Sequence, residues 1–273
     1  VFALSVVSPF SQVQGELVTH FTYTFNIRVA LLGWPDSSLL NHFWSLCIEE
    51  QFYLVWPFLA FGCSPRTLKR ILIGAIVCSL CLRLSILQVW HSWEAEYTFP
   101  LCRLDGLAFG ALLALENASE QRDFRLLKRL GMVSIVISVL LFVLFRGFRL
   151  ENAELMAVLP TLIAAAYLPL FCNVLTVEDS PLKTMLRSRW LAWLGTLSYG
   201  LYVYHQIIRV LVQEYWGIRE TILGTLVIGG SSLILSLISF QFVETYFLNL
   251  KTKFAPHEPI GPVSNQPETV SSN

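Results

Sequence analysis

Between Leu17 and Asn249 the chain is a series of long apolar runs, and that pattern limits the fold more than any motif does. The runs fall at about 17–33, 43–62, 68–89, 97–115, 127–145, 153–175, 190–211 and 220–249. Each is close to the ~20 residues a helix needs to cross the hydrocarbon core of a bilayer. Barrel strands would be only ~10 residues long and would alternate between apolar and polar positions. The expectation is therefore an all-α, polytopic transmembrane helix bundle with about eight spans. The first is weakest, because it carries His20, Asn26 and Arg28. Charge agrees, since only 14% of residues are charged against roughly 25% in soluble domains.

The loops supply an orientation. Arg66, Lys69 and Arg70 occupy one loop, Arg122, Arg125, Lys128 and Arg129 another, and Lys183, Arg187 and Arg189 a third. The intervening loops are poor in cations. The positive-inside rule puts the basic loops and the C-terminus in the cytoplasm. Residues 1–253 then form one transmembrane domain. Residues 254–273, with four prolines, read as a disordered cytoplasmic tail. Trp34-Pro35-Asp36 reads as a turn, and Pro57 should kink or end its run. Net charge is zero, which argues for no nucleic-acid partner. Cys78 and Cys81 lack the second pair or nearby His that a metal site needs, so no metal is expected. The chain opens on Val1, and the native start is expected to lie upstream.

Ionisable residues inside apolar spans are costly and default to functional candidates. Here they are Arg28, Glu49, Glu50, Arg83, Arg103, Asp105, His205, Arg209 and Glu244. The orientation puts most of them in one layer just below the outer surface, which suggests an outward-facing, water-accessible cavity. Glu49 and Glu50 are about 100° apart on a helix and cannot both face one atom. Glu49 shares a face with Tyr53 and Trp56. Two readings stand for each acid, a helix-joining pair with Arg83 or Arg103, or proton transfer to a substrate. Asp105 can likewise pair with Arg103, and His205 can be a packing or a chemical group. Arg28 and Arg209 can snorkel to the interface. Trp93 and Tyr97 read as interface anchors. On physics alone, a proton-coupled transporter and a membrane enzyme stay equally open.

The stretch His42-Phe43-Trp44-Ser45-Leu46-Cys47-Ile48-Glu49-Glu50-Gln51-Phe52-Tyr53-Leu54-Val55-Trp56-Pro57 resembles the hallmark of the acyltransferase family 3 integral membrane proteins, the O-antigen acetylase type. Arg103-Leu104-Asp105-Gly106 and its continuation to Ala114 resemble that family's R-x-D helix. Leu194-Gly195-Thr196-Leu197-Ser198-Tyr199 through His205 resembles its late helix. The resemblance covers residues 1–249 and implies an O-acyltransferase. Such proteins move an acyl group, commonly acetyl from acetyl-CoA, to a hydroxyl of an envelope carbohydrate or small molecule. It implies acyl-CoA as co-substrate with no bound cofactor, and a bacterial plasma-membrane location.

Family members have about ten spans, with a catalytic His in the first helix and an Arg-rich motif in the third. Both precede the matched region, so this chain by itself is expected to show little transferase activity. On the matched positions, Glu49 and Glu50 are the candidate catalytic acids. Trp44, Tyr53, Arg103, Asp105 and His205 are the candidate substrate-binding residues. The alternative is a transporter or flippase of a glycolipid or acyl carrier.

Overall fold

The computed structural model describes residues 16–36, 39–145, 153–177, 180–217 and 221–254, with the backbone alone at 214–216 and 251–254. The tail expected to be disordered, beyond Phe254, lies outside the described residues, as do Arg146, Arg149 and Arg219. All regular structure among the described residues is helical. The helices are α1 (Leu17–Phe21), α2 (Phe25–Leu32), α3 (Phe43–Gly62), α4 (Pro65–Val89) and α5 (Trp93–Thr98), followed by a 3₁₀ turn (Pro100–Arg103). Then come α6 (Leu104–Ala118), α7 (Arg125–Leu144), α8 (Ala153–Ala166), α9 (Leu168–Thr176) and α10 (Pro181–Leu186). Last are α11 (Arg189–Trp216), α12 (Ile222–Ser239), a π turn (Phe240–Glu244) and α13 (Thr245–Phe254).

Four segments among the described residues are long and apolar enough to cross a membrane: Pro65–Val89, Arg125–Leu144, Ala153–Thr176 and Ile222–Leu250. That is fewer than the eight expected, for local reasons. The first run breaks where Tyr23 takes a positive φ of 52°, which leaves only the short helices α1 and α2. The run 97–115 breaks at Pro100, with Phe99 held extended before it. Helices α3 and α11 have the length but are interrupted by polar groups, among them Glu49, Glu50 and Gln51 in α3. Pro57 does not end α3, which runs through it to Gly62.

Caps fix several starts. The Ser64, Ser92, Ser180, Ser188 and Thr221 side chains each accept a backbone N–H from the first turn of α4, α5, α10, α11 and α12. Such a cap is worth about 1 kcal/mol. Gly217, with φ of 60°, closes α11 in the left-handed conformation that glycine adopts without a Cβ penalty.

The main bundle packs α4, α6, α7, α8 and α9 together. On α4 the buried residues are Leu68, Leu72, Ser79, Arg83 and Ile86, which recur every three, four or seven positions and so make one stripe. Leu68 and Leu72 of that stripe meet Ala108, Phe109, Ala111 and Leu112 of α6, and Leu168 and Cys172 of α9. At Gly131 of α7 an added Cβ would lie 2.3 Å from Pro169 Cδ and 2.7 Å from the Ala165 carbonyl oxygen, so α7 sits directly on the start of α9. A smaller cluster of Phe25, Val29 and Cys47, with Trp34 and Trp44 against it, joins α2 to α3. Helices α11 and α12 pack mainly on each other. They reach the rest of the molecule through Val210 on Leu39 and through the first turn of α3.

Candidate active site

Arg83 is the largest fully buried side chain among the described residues, with no exposed surface. Its Nε donates to the Ala157 carbonyl at 2.6 Å, and Nη2 donates to Asp105 Oδ2 at 2.8 Å. It also donates to the Cys102 carbonyl and to Thr161 Oγ1. Thr161 Oγ1 in turn donates to Asp105 Oδ2 at 2.6 Å, and the Gly106 amide donates to Oδ1 at 2.9 Å. A buried ion pair is tolerable when every remaining donor and acceptor is used. This one ties α4, α6 and α8 together. Asp105 is thus engaged by Arg83, on another helix, rather than by its near neighbour Arg103.

Beside this knot lies a cavity of about 930 Å³. Trp34, His42, Trp44, Trp93, Glu96, Tyr97 and Arg103 line one side, and Met156, Leu159, Pro160 and Ile163 of α8 line another. The aromatic rings form a chain. Trp34 and Trp93 are 6.3 Å apart, Trp93 and Tyr97 6.4 Å, and Tyr97 and Trp44 4.6 Å. The Arg103 guanidinium lies 4.5 Å above Tyr97 and 5.8 Å from the Trp44 ring, and its Nε donates to the Tyr97 carbonyl at 2.8 Å. Cation–π contact holds such a guanidinium flat against an aromatic wall. Arg103 forms no ion pair among the described residues. The structure therefore brings Trp44 of the first motif and Arg103 of the second to one cavity, through Tyr97.

Glu96 is the residue that sequence reading passed over. It sits in the short helix α5, outside the apolar spans, yet is 4% exposed. Its Oε1 has no hydrogen-bond partner, and Arg83 Nε, 3.9 Å away, is committed to Ala157. Burial pushes its carboxyl above the usual carboxylate range, with Arg103 and Arg83 pulling the other way. The only sequence signal is a pair of carboxylates, Glu94 and Glu96, between Trp93 and Arg103 in a loop otherwise rich in aromatics.

The other expected site residues lie elsewhere. Glu49 and Tyr53 are exposed and Glu50 is half-buried; none of the three lines the cavity. Glu49 lies near Tyr202, and Glu50 near Tyr199. Neither carboxylate has a hydrogen bond or ion pair among the described residues. Gln51, next in sequence, donates to the Tyr23 carbonyl at 2.6 Å and to Asn26 Oδ1 at 3.0 Å, which binds α3 to the break after α1. His205 is exposed on α11, and its ring lies 5.4 Å from that of His42. The Tyr202 hydroxyl donates to the His42 carbonyl and contacts Ser45 Oγ, each at 2.5 Å. His42 Nε2 meets the Val203 carbonyl at 3.2 Å, so in the neutral ring that nitrogen carries the proton and buried Nδ1 is left as an unpartnered acceptor. The signature thus presents two faces. One lines the aromatic cavity, and the other sets Glu49 and Glu50 near Tyr202 and Tyr199 of α11.

A family model described as an acyltransferase domain matches residues 10–240. The chain belongs to that acyltransferase family. The chain is 29% identical over 248 residues to a peptidoglycan O-acetyltransferase of Listeria monocytogenes, covering 85% of this chain and 40% of the relative. A Bacillus subtilis protein named as a candidate for the same activity is 29% identical over 263 residues, covering 85% of this chain and 39% of its own length. A candidate O-acetyltransferase of Staphylococcus aureus is 25% identical over 246 residues, covering 80% of this chain and 39% of its own. The chain therefore spans about 40% of the length of the curated relatives it matches. No solved structure matches it. The family match and the four apolar helices together describe a membrane protein of the acyltransferase family.

Proposed function

We propose that this acyltransferase takes an acetyl group from acetyl-CoA and transfers it to a hydroxyl of an envelope carbohydrate, with the aromatic cavity as the acceptor site. The single observation that carries this reading is the meeting of Trp44 and Arg103, from two separate family motifs, on one cavity of about 930 Å³. That volume is within the ~300–1,000 Å³ typical of small-ligand sites. The cavity's apolar walls and flat rings suit the faces of a sugar, and its few polar groups suit hydroxyls. The peptidoglycan acceptor named for the Listeria relative makes an amino-sugar polymer the first acceptor to test.

In this reading Glu49 and Glu50, on the second face beside His205 and outside the cavity, are the candidate catalytic acids that charge the acceptor side of the site without bonding the acceptor in the cavity itself. Tyr53 shares the Glu49 face of α3, and Asp105 acts by holding Arg83. The enzyme sits in a bacterial plasma membrane with its basic loops and C-terminus in the cytoplasm.

The test is the amount of base-labile acetate on envelope polysaccharide from cells carrying the gene. Arg103→Ala and Trp44→Ala at the chromosomal locus should each lower it by roughly tenfold or more, at unchanged membrane abundance, the size expected for loss of substrate positioning. Unchanged acetate after deletion of the gene would refute the activity.

A further inference from the structure

Three buried polar atoms among the described residues lack a partner and belong to residues lining the 930 Å³ cavity: Glu96 Oε1, Trp34 Nε1 and His42 Nδ1. Buried polar groups are nearly always hydrogen-bonded, so unmatched ones on a cavity wall point to the ligand that matches them. The set holds one N–H donor, the Trp34 indole, and two acceptors. A hydroxyl both donates and accepts, so a polyhydroxylated molecule can satisfy all three.

Charge narrows the class further. Apart from His42, the charged side chains lining the cavity are Glu96 and Arg103. Arg103 is held against Tyr97 and Trp44, at the far end of the aromatic chain from Trp34. Glu96 presents an oxygen that no donor covers. The Arg83 guanidinium behind it is paired with Asp105 at 2.8 Å and lies 3.9 Å from Glu96 Oε1. A hydroxyl brought to Glu96 Oε1 gains a charge-assisted hydrogen bond. An anionic group brought there meets a like charge in a poorly solvated site, and such a pair repels strongly.

We infer that Glu96 and the Trp34 indole N–H form a recognition pair in which Glu96 selects a neutral polyhydroxylated ring over an acidic one and the indole N–H holds either. The inference rests on reading the cavity as the acceptor site, and it adds the charge of the acceptor that the cavity admits. Opposing Arg103 is Glu96's second effect. With Glu96 neutralised, the cavity carries one unbalanced cation and should welcome a carboxylate.

Methyl β-glucoside and methyl β-glucuronide test this, because they differ only in a hydroxymethyl against a carboxylate. The full chain in nanodiscs of neutral lipid, at pH ~8 where carboxylates are ionised, is titrated with each. Binding is read by tryptophan fluorescence and by ligand-observed NMR. The wild type should bind the glucoside at least about tenfold more tightly, the equivalent of ~1.4 kcal/mol. Glu96→Gln should erase or reverse that preference. Trp34→Phe, which keeps an aromatic ring but removes the indole and its N–H donor, should weaken both probes together and leave their ratio unchanged. A preference that persists in Glu96→Gln overturns the inference, and so does a wild type that binds neither probe. If Glu96→Gln fails to fold, a ratio shifted by Trp34→Phe still counts against the pair as described. All of these readouts are binding alone. Selective binding without envelope acetate would count against the transferase reading and not against the pair; envelope acetate without selective binding would do the reverse.

Discussion

Replacing Arg83 with methionine probes the buried knot that fixes the cavity's inner wall. Methionine keeps most of the length and apolar stem but removes every donor. Asp105 then retains the Thr161 hydroxyl at 2.6 Å and the Gly106 amide at 2.9 Å, with no countercharge. Stranding one member of a buried ion pair costs about 3–5 kcal/mol. The Ala157 and Cys102 carbonyls also lose a donor, at about 1 kcal/mol each. These losses share one site and are not additive, so a loss of about 3–5 kcal/mol is expected. For a chain of this size, each kcal/mol moves the melting midpoint by roughly 2–4 °C. The apparent melting temperature in detergent, followed by fluorescence-detected size exclusion, should fall by roughly 6–20 °C. Removing both charges, as Arg83→Met with Asp105→Leu, should recover more than half of that fall, because an apolar pair of similar volume needs no countercharge. A single variant melting within about 2 °C of the wild type, or a double variant as damaged as the two singles added together, would refute the account.

Three further outcomes can be checked in the same detergent assay. Gly131→Ala forces a methyl into Pro169 and the Ala165 carbonyl, so it should destabilise the protein by about 1–3 kcal/mol through overpacking of α7 on α9; an unchanged melting temperature would show that the two helices part easily. Tyr202→Phe removes the hydroxyl that joins α11 to the His42 carbonyl and Ser45. It should cost about 1 kcal/mol and speed hydrogen exchange at the first turn of α3 more than in α4; uniform exchange would count against a local tie. Glu96 gives a pH signature. Its carboxyl is raised in the folded protein above the ordinary value of 4.5, so its contribution is fully present below that value and is lost as pH rises through the folded one. The wild type should therefore lose stability relative to Glu96→Gln as pH rises from below 4.5 through the raised folded value, and a difference that stays flat across that rise would contradict the burial of this carboxyl.

Local features carry the legible part of the architecture. Run length and continuous apolarity mark α4, α7, the pair α8–α9, and α12, because the cost of placing backbone in hydrocarbon forces such runs into helices whatever their neighbours are. The three ordered motifs placed the chain in its family, since they are short stretches of side chains in fixed order. The breaks at Tyr23 and Pro100 were less legible. An apolar run conceals a bend when its polar groups find partners across the bundle, as Gln51 does with the Tyr23 carbonyl. Partner choice was decided by the tertiary structure alone. Arg83 could have met Glu49 or Glu50, and Asp105 could have met Arg103; packing of α4 against α6 and α8 joined Arg83 to Asp105 instead. The same packing left Arg103 free to lie on Tyr97 and Trp44, and it buried Glu96 from a loop where periodicity has nothing to measure. A buried charge is paired by geometry, within a few ångströms, and sequence separation carries no information at that distance.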